Sequence, residues 1–326
     1  MKIVFLGTGE FAVPTLQALH RASHQVSLVV SQPDRPQGRG LTLRPTPIKS
    51  AAMALGLPVF QPEKLRLEPG PVVAEQADVL VVVAYGQILR DNILGCAPRG
   101  AINVHASLLP KYRGAAPIQW AIANGETRTG VTTMQLDRGM DTGPILLQKE
   151  CAISPEDTTA TLEPRLAAMG ADLLIQTLDA LARGTVAPVA QDENLATKAP
   201  LITKGDGAVH FGREANEIAN RLRGFSPWPG VQFQHEGRSI KILEAVAVAT
   251  ARTDEFSTGA ILGISRDGLD VSCGGGSTLR LRRVQPESRG PVSAFDFANG
   301  AKLKAGIILG SQDGAGPMSR PSDPKD

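Results

Sequence analysis

The sequence predicts two domains: an N-terminal Rossmann-like α/β domain, with a parallel-rich sheet and flanking helices, and a smaller C-terminal OB-like β-barrel. Three observations carry this. In residues 1–188 short apolar runs alternate with helical stretches, the order of an open sheet with right-handed crossovers. One of those runs, Val79–Ala84, is almost unbroken valine, as in a strand buried on both faces. Beyond residue 206 the period changes, and short strands follow one another with glycine turns between them.

Taken in order, Lys2–Leu6 is a β-rich run ending in Gly-Thr-Gly, and Ala12–His20 reads as helix. Gln25–Ser31 is a second strand, and Thr46–Leu55 is helical after a long loop rich in Pro, Gly and Arg. Ala101–His105 is a short strand, Ala116–Ala123 a helix, and Gly130–Gln135 a β-branched strand. A glycine-bearing turn leads to Ile145–Glu150, and Thr159–Ala182 is a long helical segment. Residues 189–206 are expected to be a linker. The second domain, 207–310, opens with a helix over Glu214–Arg223. Strands at Val231–Gln234, Ser239–Val248, Gly259–Ser265, Gly268–Cys273 and Thr278–Val284 follow, then a helical turn at Phe295–Gly300. Residues 311–326, rich in Ser, Pro, Asp and Gly, are expected to be disordered.

A chain of 326 residues with 42% hydrophobic and 20% charged residues is ordinary for a globular protein, and its length favours two domains. Trp120, Trp228, Tyr85, Tyr112 and nine Phe are too few aromatics for a stacking platform for single-stranded nucleic acid. Cys96, Cys151 and Cys273 are far apart and odd in number, which fits buried small hydrophobes in a reducing compartment. With no leader-like start and no run of membrane-spanning length, a cytoplasmic enzyme is expected. The formal net charge is +2, with the basic excess in the second half, a weak hint of a polyanionic partner.

Four motifs bear chemistry. Gly7-Thr8-Gly9-Glu10-Phe11-Ala12 fits G-x-G-x-x-A after the first strand, with Asp34 near the end of the second, as in a dinucleotide fingerprint. Arg35, Pro36 and a basic loop follow Asp34 at once, however, and a glycine turn is a structural need of many first βα junctions. Asn103-Val104-His105 is a stronger candidate. Strand alternation puts Asn103 and His105 on one side, a polar pair on an otherwise apolar strand is costly unless partnered, and ligands bind at strand carboxyl ends. In Asp137-Arg138-Gly139-Met140-Asp141-Thr142-Gly143, two carboxylates could bind a cation or simply build a turn. The loop from Arg35 through Arg39 and Arg44 to Lys49 is basic and expected to be long and exposed, either a binding element or merely solvated.

In order, SQPDRPQGRG (31–40), VVVAYGQIL (81–89), INVHASLLPKYRGAAPIQWAI (102–122), GVTTMQLDRGMDTG (130–143) and RGFSPWPG (223–230) resemble the methionyl-tRNA formyltransferase family of folate-dependent formyltransferases. The resemblance covers roughly residues 1–310 and implies a 10-formyltetrahydrofolate co-substrate, initiator Met-tRNA as acceptor, no metal, and a monomer away from membranes. It implies that Asn103, His105 and Asp141 are catalytic, with Asp141 orienting His105. Ser107, Leu108, Leu109 and Pro110 match the folate-contacting segment, and Val82, Ala84, Tyr85, Gly86 and Leu136 the pterin slot. Arg35, Arg39, Arg44 and Lys49 match the region meeting the acceptor stem. Leu41-Thr42 stand where many relatives carry basic residues, and residues 204–211 also depart from the family's common form, so no site is expected there.

Overall fold

Strand β1 (Lys2–Gly7) is apolar and buried from Ile3 onward, as befits a strand in the middle of a sheet covered on both faces. The computed structural model describes residues 1–22, 24–37, 42–249 and 255–310. After β1 come α1 (Val13–Arg21), β2 (Gln25–Val30), a small ribbon of β3 (Arg35–Gln37) and β4 (Thr42–Arg44), α2 (Pro47–Ala54) and β5 (Val59–Phe60). Then follow α3 (Gly70–Ala74), β6 (Val79–Val83), α4 (Asp91–Leu94), β7 (Ala101–His105) and α5 (Pro117–Ala123). β8 (Arg128–Gln135), β9 (Ile145–Ala152) and α6 (Thr159–Arg183) complete this part of the chain. Two compact units result: residues 1–121 with 126–201, and residues 122–125 with 202 onward.

The first unit holds a seven-stranded sheet in the order β5-β2-β1-β6-β7-β8-β9. β5 through β7 are parallel, whereas β8 and β9 run antiparallel to their neighbours. For β9 the reason is the short connection after β8, since a parallel return needs a dozen or more residues. All five positions of β6 and of β7 are buried, each large aliphatic side chain contributing roughly 1.5–3 kcal/mol. One face of β7 meets α6 so closely that a Cβ added at Gly170 would lie 2.8 Å from Val104 Cγ1. The other face carries Ala101 into a core cluster with Val4, Leu6, Leu80 and Val82, and by alternation Asn103 and His105 share that face. Helix α6 is fixed at both ends, by a Thr158–Thr161 capping box and by Gly184 in the left-handed region at φ 67°.

The second unit is an antiparallel β domain. α7 (Ala215–Gly224) precedes β10 (Val231–His235), β11 (Arg238–Val248), β12 (Ile261–Ser265), β13 (Gly268–Ser272), β14 (Thr278–Pro286) and β15 (Val292–Ser293), with α8 (Ala294–Gly300) after them. The strand order is β10-β11-β14-β13-β12, with β15 on β14. Its core draws on Ile240, Ile242, Leu269, Val271, Leu279, Leu281 and Val284, and Phe211 meets Phe233 edge-on at 5.4 Å. The basic excess read here from sequence is partly neutralised: Arg280 forks onto Asp270 at 2.7 and 2.8 Å, and Arg283 lies 3.5 Å from Glu244.

Candidate active site

A cleft of about 660 Å³ opens at the carboxyl ends of β6 and β7, where an open α/β sheet leaves room for a ligand. Asn103, His105 and Asp141 all line it, together with Val82, Ala84, Tyr85, Gly86 and Leu136. Leu89, Leu94, Phe11 and Ile118 extend the apolar walls, and Ile88 and Met140 on its lining are exposed large hydrophobics. The backbone is forced into the left-handed region at three non-glycine residues around it: Ala84 (φ 46°), Tyr112 (φ 62°) and Asp141 (φ 55°). Strained backbone of this kind persists where the surroundings over-determine it, and here it gathers at one cleft.

Asn103 is 9% exposed, and its side-chain amide makes no hydrogen bond to any described residue. His105 is 6% exposed and its Nε2 donates to the Tyr112 carbonyl at 2.9 Å. A carbonyl oxygen only accepts, so Nε2 carries a proton and Nδ1 is the ring nitrogen turned away from Tyr112. Nδ1 faces Asp141 Oδ2 at 3.7 Å, too far for a hydrogen bond. The Tyr112 carbonyl therefore makes the hydrogen bond to the ring, while Asp141 faces its other nitrogen. Asp141 Oδ2 itself accepts from the Gly114 N–H at 2.8 Å. Gly114 has φ 126°, and a side chain there would meet the Ala199 carbonyl at 2.5 Å, so only glycine brings that N–H to the carboxylate.

Asp137 spends its carboxylate inside the turn, accepting from Gly139 N at 2.9 Å and from the Thr142 hydroxyl at 2.8 and 2.9 Å. Of the two readings of that motif, the turn is what these bonds build.

Ser107, Leu108, Leu109 and Pro110 are not on the cleft lining. Ser107 is fully buried and donates to the Lys111 carbonyl at 2.6 Å, Leu109 N donates to Thr132 Oγ1 at 3.2 Å, and Leu108 packs where a Gly130 side chain would stand. The segment braces the loop that returns to Tyr112. β8 and β9 supply Thr132 and Gln148, which donate to the Ser107 and Leu109 carbonyls of this segment.

The fingerprint residues are also absorbed structurally. Thr8 Oγ1 and Gln32 Nε2 both donate to the Tyr85 carbonyl, at 2.9 and 3.0 Å, which holds the Ala84–Gly86 turn. Asp34 accepts from Lys49 Nζ at 2.6 Å and Gln61 Nε2 at 2.7 Å, and these bonds hold its carboxyl below the usual range. It has no need of a ribose. Lys49 is thereby committed to Asp34. Arg35 and Arg44 stand opposite each other on the β3–β4 ribbon, which is exposed as expected from sequence but strand-paired. Arg39 and Leu41 lie outside the described residues, and Thr42 begins β4.

Two further side chains on the lining are electrostatically distinct. Burial pushes the Tyr85 phenol up to about 12, and its hydroxyl is buried without a hydrogen-bond partner among the described residues. Burial first, and then the Glu10 carboxylate, raise Glu163 above the ordinary glutamate range. Sequence reasoning missed Glu163, Gly114, Phe11 and Ile118 as members of this site. Gly114 and Ile118 had a signal, lying within the R-G-A-A-P-I-Q run, and Phe11 lies within the Gly7–Ala12 motif; Glu163 had none.

A side-chain amide with no partner among the described residues, lining one cleft with a histidine and a carboxylate in a Rossmann-like unit, fits a group-transfer enzyme. Residues 1–178 match the family model for formyl transferase, and residues 201–302 that for the formyl transferase C-terminal domain. The methionyl-tRNA formyltransferase of Anaeromyxobacter dehalogenans strain 2CP-1 is 50% identical over 308 residues, covering 93% of this chain and 98% of the relative. The methionyl-tRNA formyltransferase of Solibacter usitatus is 49% identical over 313 residues, covering 95% and 99%. An N-formyltransferase from Helicobacter canadensis, solved with folinic acid and dTDP-3-aminofucose, shares the fold with a TM-score of 0.64 at 19% identity, covering 86% of this chain and 98% of that one. The chain belongs to the formyl transferase family, and within it to the methionyl-tRNA formyltransferases.

Proposed function

We propose that the enzyme moves the formyl group of 10-formyltetrahydrofolate to the α-amino group of methionine carried by initiator tRNA. The tRNA acceptor is supported by the names of the relatives, and the folate donor by the folinic acid bound to the Helicobacter canadensis structure. Within the cleft, the apolar wall of Val82, Leu89, Leu94 and Leu136 suits a flat heteroaromatic ring.

The observation that carries the chemistry is the convergence of Asn103, His105 and Asp141. The Asn103 amide can donate to an oxygen that gains charge as the formyl carbon becomes tetrahedral. His105 Nδ1 and Asp141 Oδ2, two acceptors 3.7 Å apart, flank a space suited to a donor N–H, and the attacking amine is such a donor. As its nitrogen bonds to the formyl carbon, its proton passes to that pair. The same proton then goes to the folate nitrogen as the old carbon–nitrogen bond breaks. Asp141 stabilises the imidazolium in between. For phosphate contact, Arg35 and Arg44 are the described residues free of a carboxylate partner on the ribbon.

The test is direct. Purified protein with 10-formyltetrahydrofolate should formylate Met-tRNA and leave a dTDP-amino sugar untouched. Transfer to the amino sugar alone would overturn the tRNA reading.

A further inference from the structure

Residues 189–206 read as a linker in sequence, yet one of them is bonded to the catalytic turn. Gln191 Nε2 donates to the Asp141 carbonyl at 2.8 Å and to the Gly143 carbonyl at 2.7 Å. Its Oε1 accepts from Arg113 Nε at 3.0 Å and Nη2 at 2.9 Å. Both N–H groups and both lone pairs of the amide are therefore used. A flipped amide would set its NH₂ against a guanidinium and its oxygen against two carbonyls, so only one orientation is allowed. Arg113 is locked in turn by Glu193, at 2.8 and 2.9 Å, which raises the guanidinium above its ordinary range.

Three adjacent residues then reach His105, Asp141 and the Gln191 that holds the turn. The Tyr112 carbonyl fixes the His105 ring, Arg113 fixes Gln191, and the Gly114 N–H fixes the Asp141 carboxylate. The connector is stitched along this tripeptide as well: Tyr112 N donates to Thr197 Oγ1 at 2.8 Å, Arg113 N to the Thr197 carbonyl at 2.8 Å, and Ala199 N to the Arg113 carbonyl at 2.7 Å. Asp141 most needs such support. It holds φ 55° without being glycine, and its own turn is tied otherwise through Asp137 to Thr142 and through Arg138 to the exposed Asp91. Seizing the carbonyls of Asp141 and Gly143 fixes the peptide planes that follow these two residues, and with the first of them the backbone that directs the Asp141 side chain.

The geometry points to Gln191, backed by Arg113, as a positioning residue that sets the Asp141 carboxylate against His105. This rests on the formyl-transfer reading above. Misplacement by a fraction of an ångström at a reacting centre lowers turnover more than binding. Gln191→Ala should therefore lower kcat about tenfold or more, with KM for folate and acceptor moving less than about threefold. Gln191→Glu keeps the length and the Arg113 contact but loses both donors, so it should lose at least as much.

The deciding measurement is a double-mutant cycle. In an Asp141→Ala background, Gln191→Ala should cost less than about twofold further, because its effect acts through a group no longer present. An equal loss in both backgrounds would overturn the proposal. A second readout needs no substrate. Gly114 amide hydrogen exchange should speed up in Gln191→Ala while core amides keep their protection, and unchanged Gly114 protection would overturn the proposal too. Wild-type protein inactive in the formylation assay would instead sink the assignment of function, leaving the exchange result to judge Gln191.

Discussion

Asn103 and His105 lie two residues apart on a strand buried at all five positions, whereas Asp141 lies in a turn whose tip, 137–140, is exposed. The strand needs nothing distant to aim its side chains: the pleat sends both to one face, and the neighbouring strands do the rest. The turn has no such rule. Its aspartate is aimed by a glycine 27 residues upstream and a glutamine 50 residues downstream. Half of the centre is thus rigid by secondary structure and half by long-range hydrogen bonds, so the two halves should respond differently to damage.

The largest expected effect is at the strand. Asn103→Ala and His105→Ala should each lower kcat/KM about a hundredfold or more, with thermal melting little changed, measured by single-turnover formylation. Intact turnover in either variant would remove the strand from the chemistry. Next comes the turn's remote support. Gly114→Ala demands φ 126° of a residue with a Cβ and meets the Ala199 carbonyl, so the Asp141 contact should be lost and kcat should fall about tenfold or more. A fall in melting temperature alone, with kcat kept, would show that the turn holds Asp141 by itself.

A smaller effect is expected at the ribbon, which touches neither half. Arg35→Ala and Arg44→Ala should each lower the salt dependence of tRNA affinity by about one unit of slope, leaving turnover of bound substrate unchanged. The smallest concerns Glu163. Its carboxyl is raised in the fold, so its charged form disfavours the folded state: full stability is present below the unfolded pKa and is lost as pH rises through the folded one. Glu163→Gln should accordingly raise the melting temperature at pH 7 and lose that advantage near pH 4. An equal gain at both pH values would assign the effect to packing instead.

Much of the fold was legible in advance because its signals are local. The valine run of β6, the Thr46 and Thr158 caps, and the glycine at 184 each act within a few residues, and the elements fall where those signals place them. The antiparallel course of β8 and the β3–β4 ribbon were not legible, since pairing direction depends on which neighbour a strand finds. The bracing of Ser107–Pro110 was equally hidden, since Thr132 and Gln148, which bond to that loop, come from strands further along the chain.

By itself, the sequence determined the two-domain order, the buried strands, and the shared face of Asn103 and His105, because hydrophobic periodicity and side-chain alternation are properties of a few consecutive residues. It also supplied the family resemblance through short ordered motifs. Tertiary structure alone decided that the Tyr112 carbonyl bonds the His105 ring, that Lys49 is occupied by Asp34, and that Gln191 bonds the turn carrying Asp141. Each of those is a hydrogen bond between residues 7, 15 or 50 positions apart, and no local rule of sequence specifies a partner at such a distance.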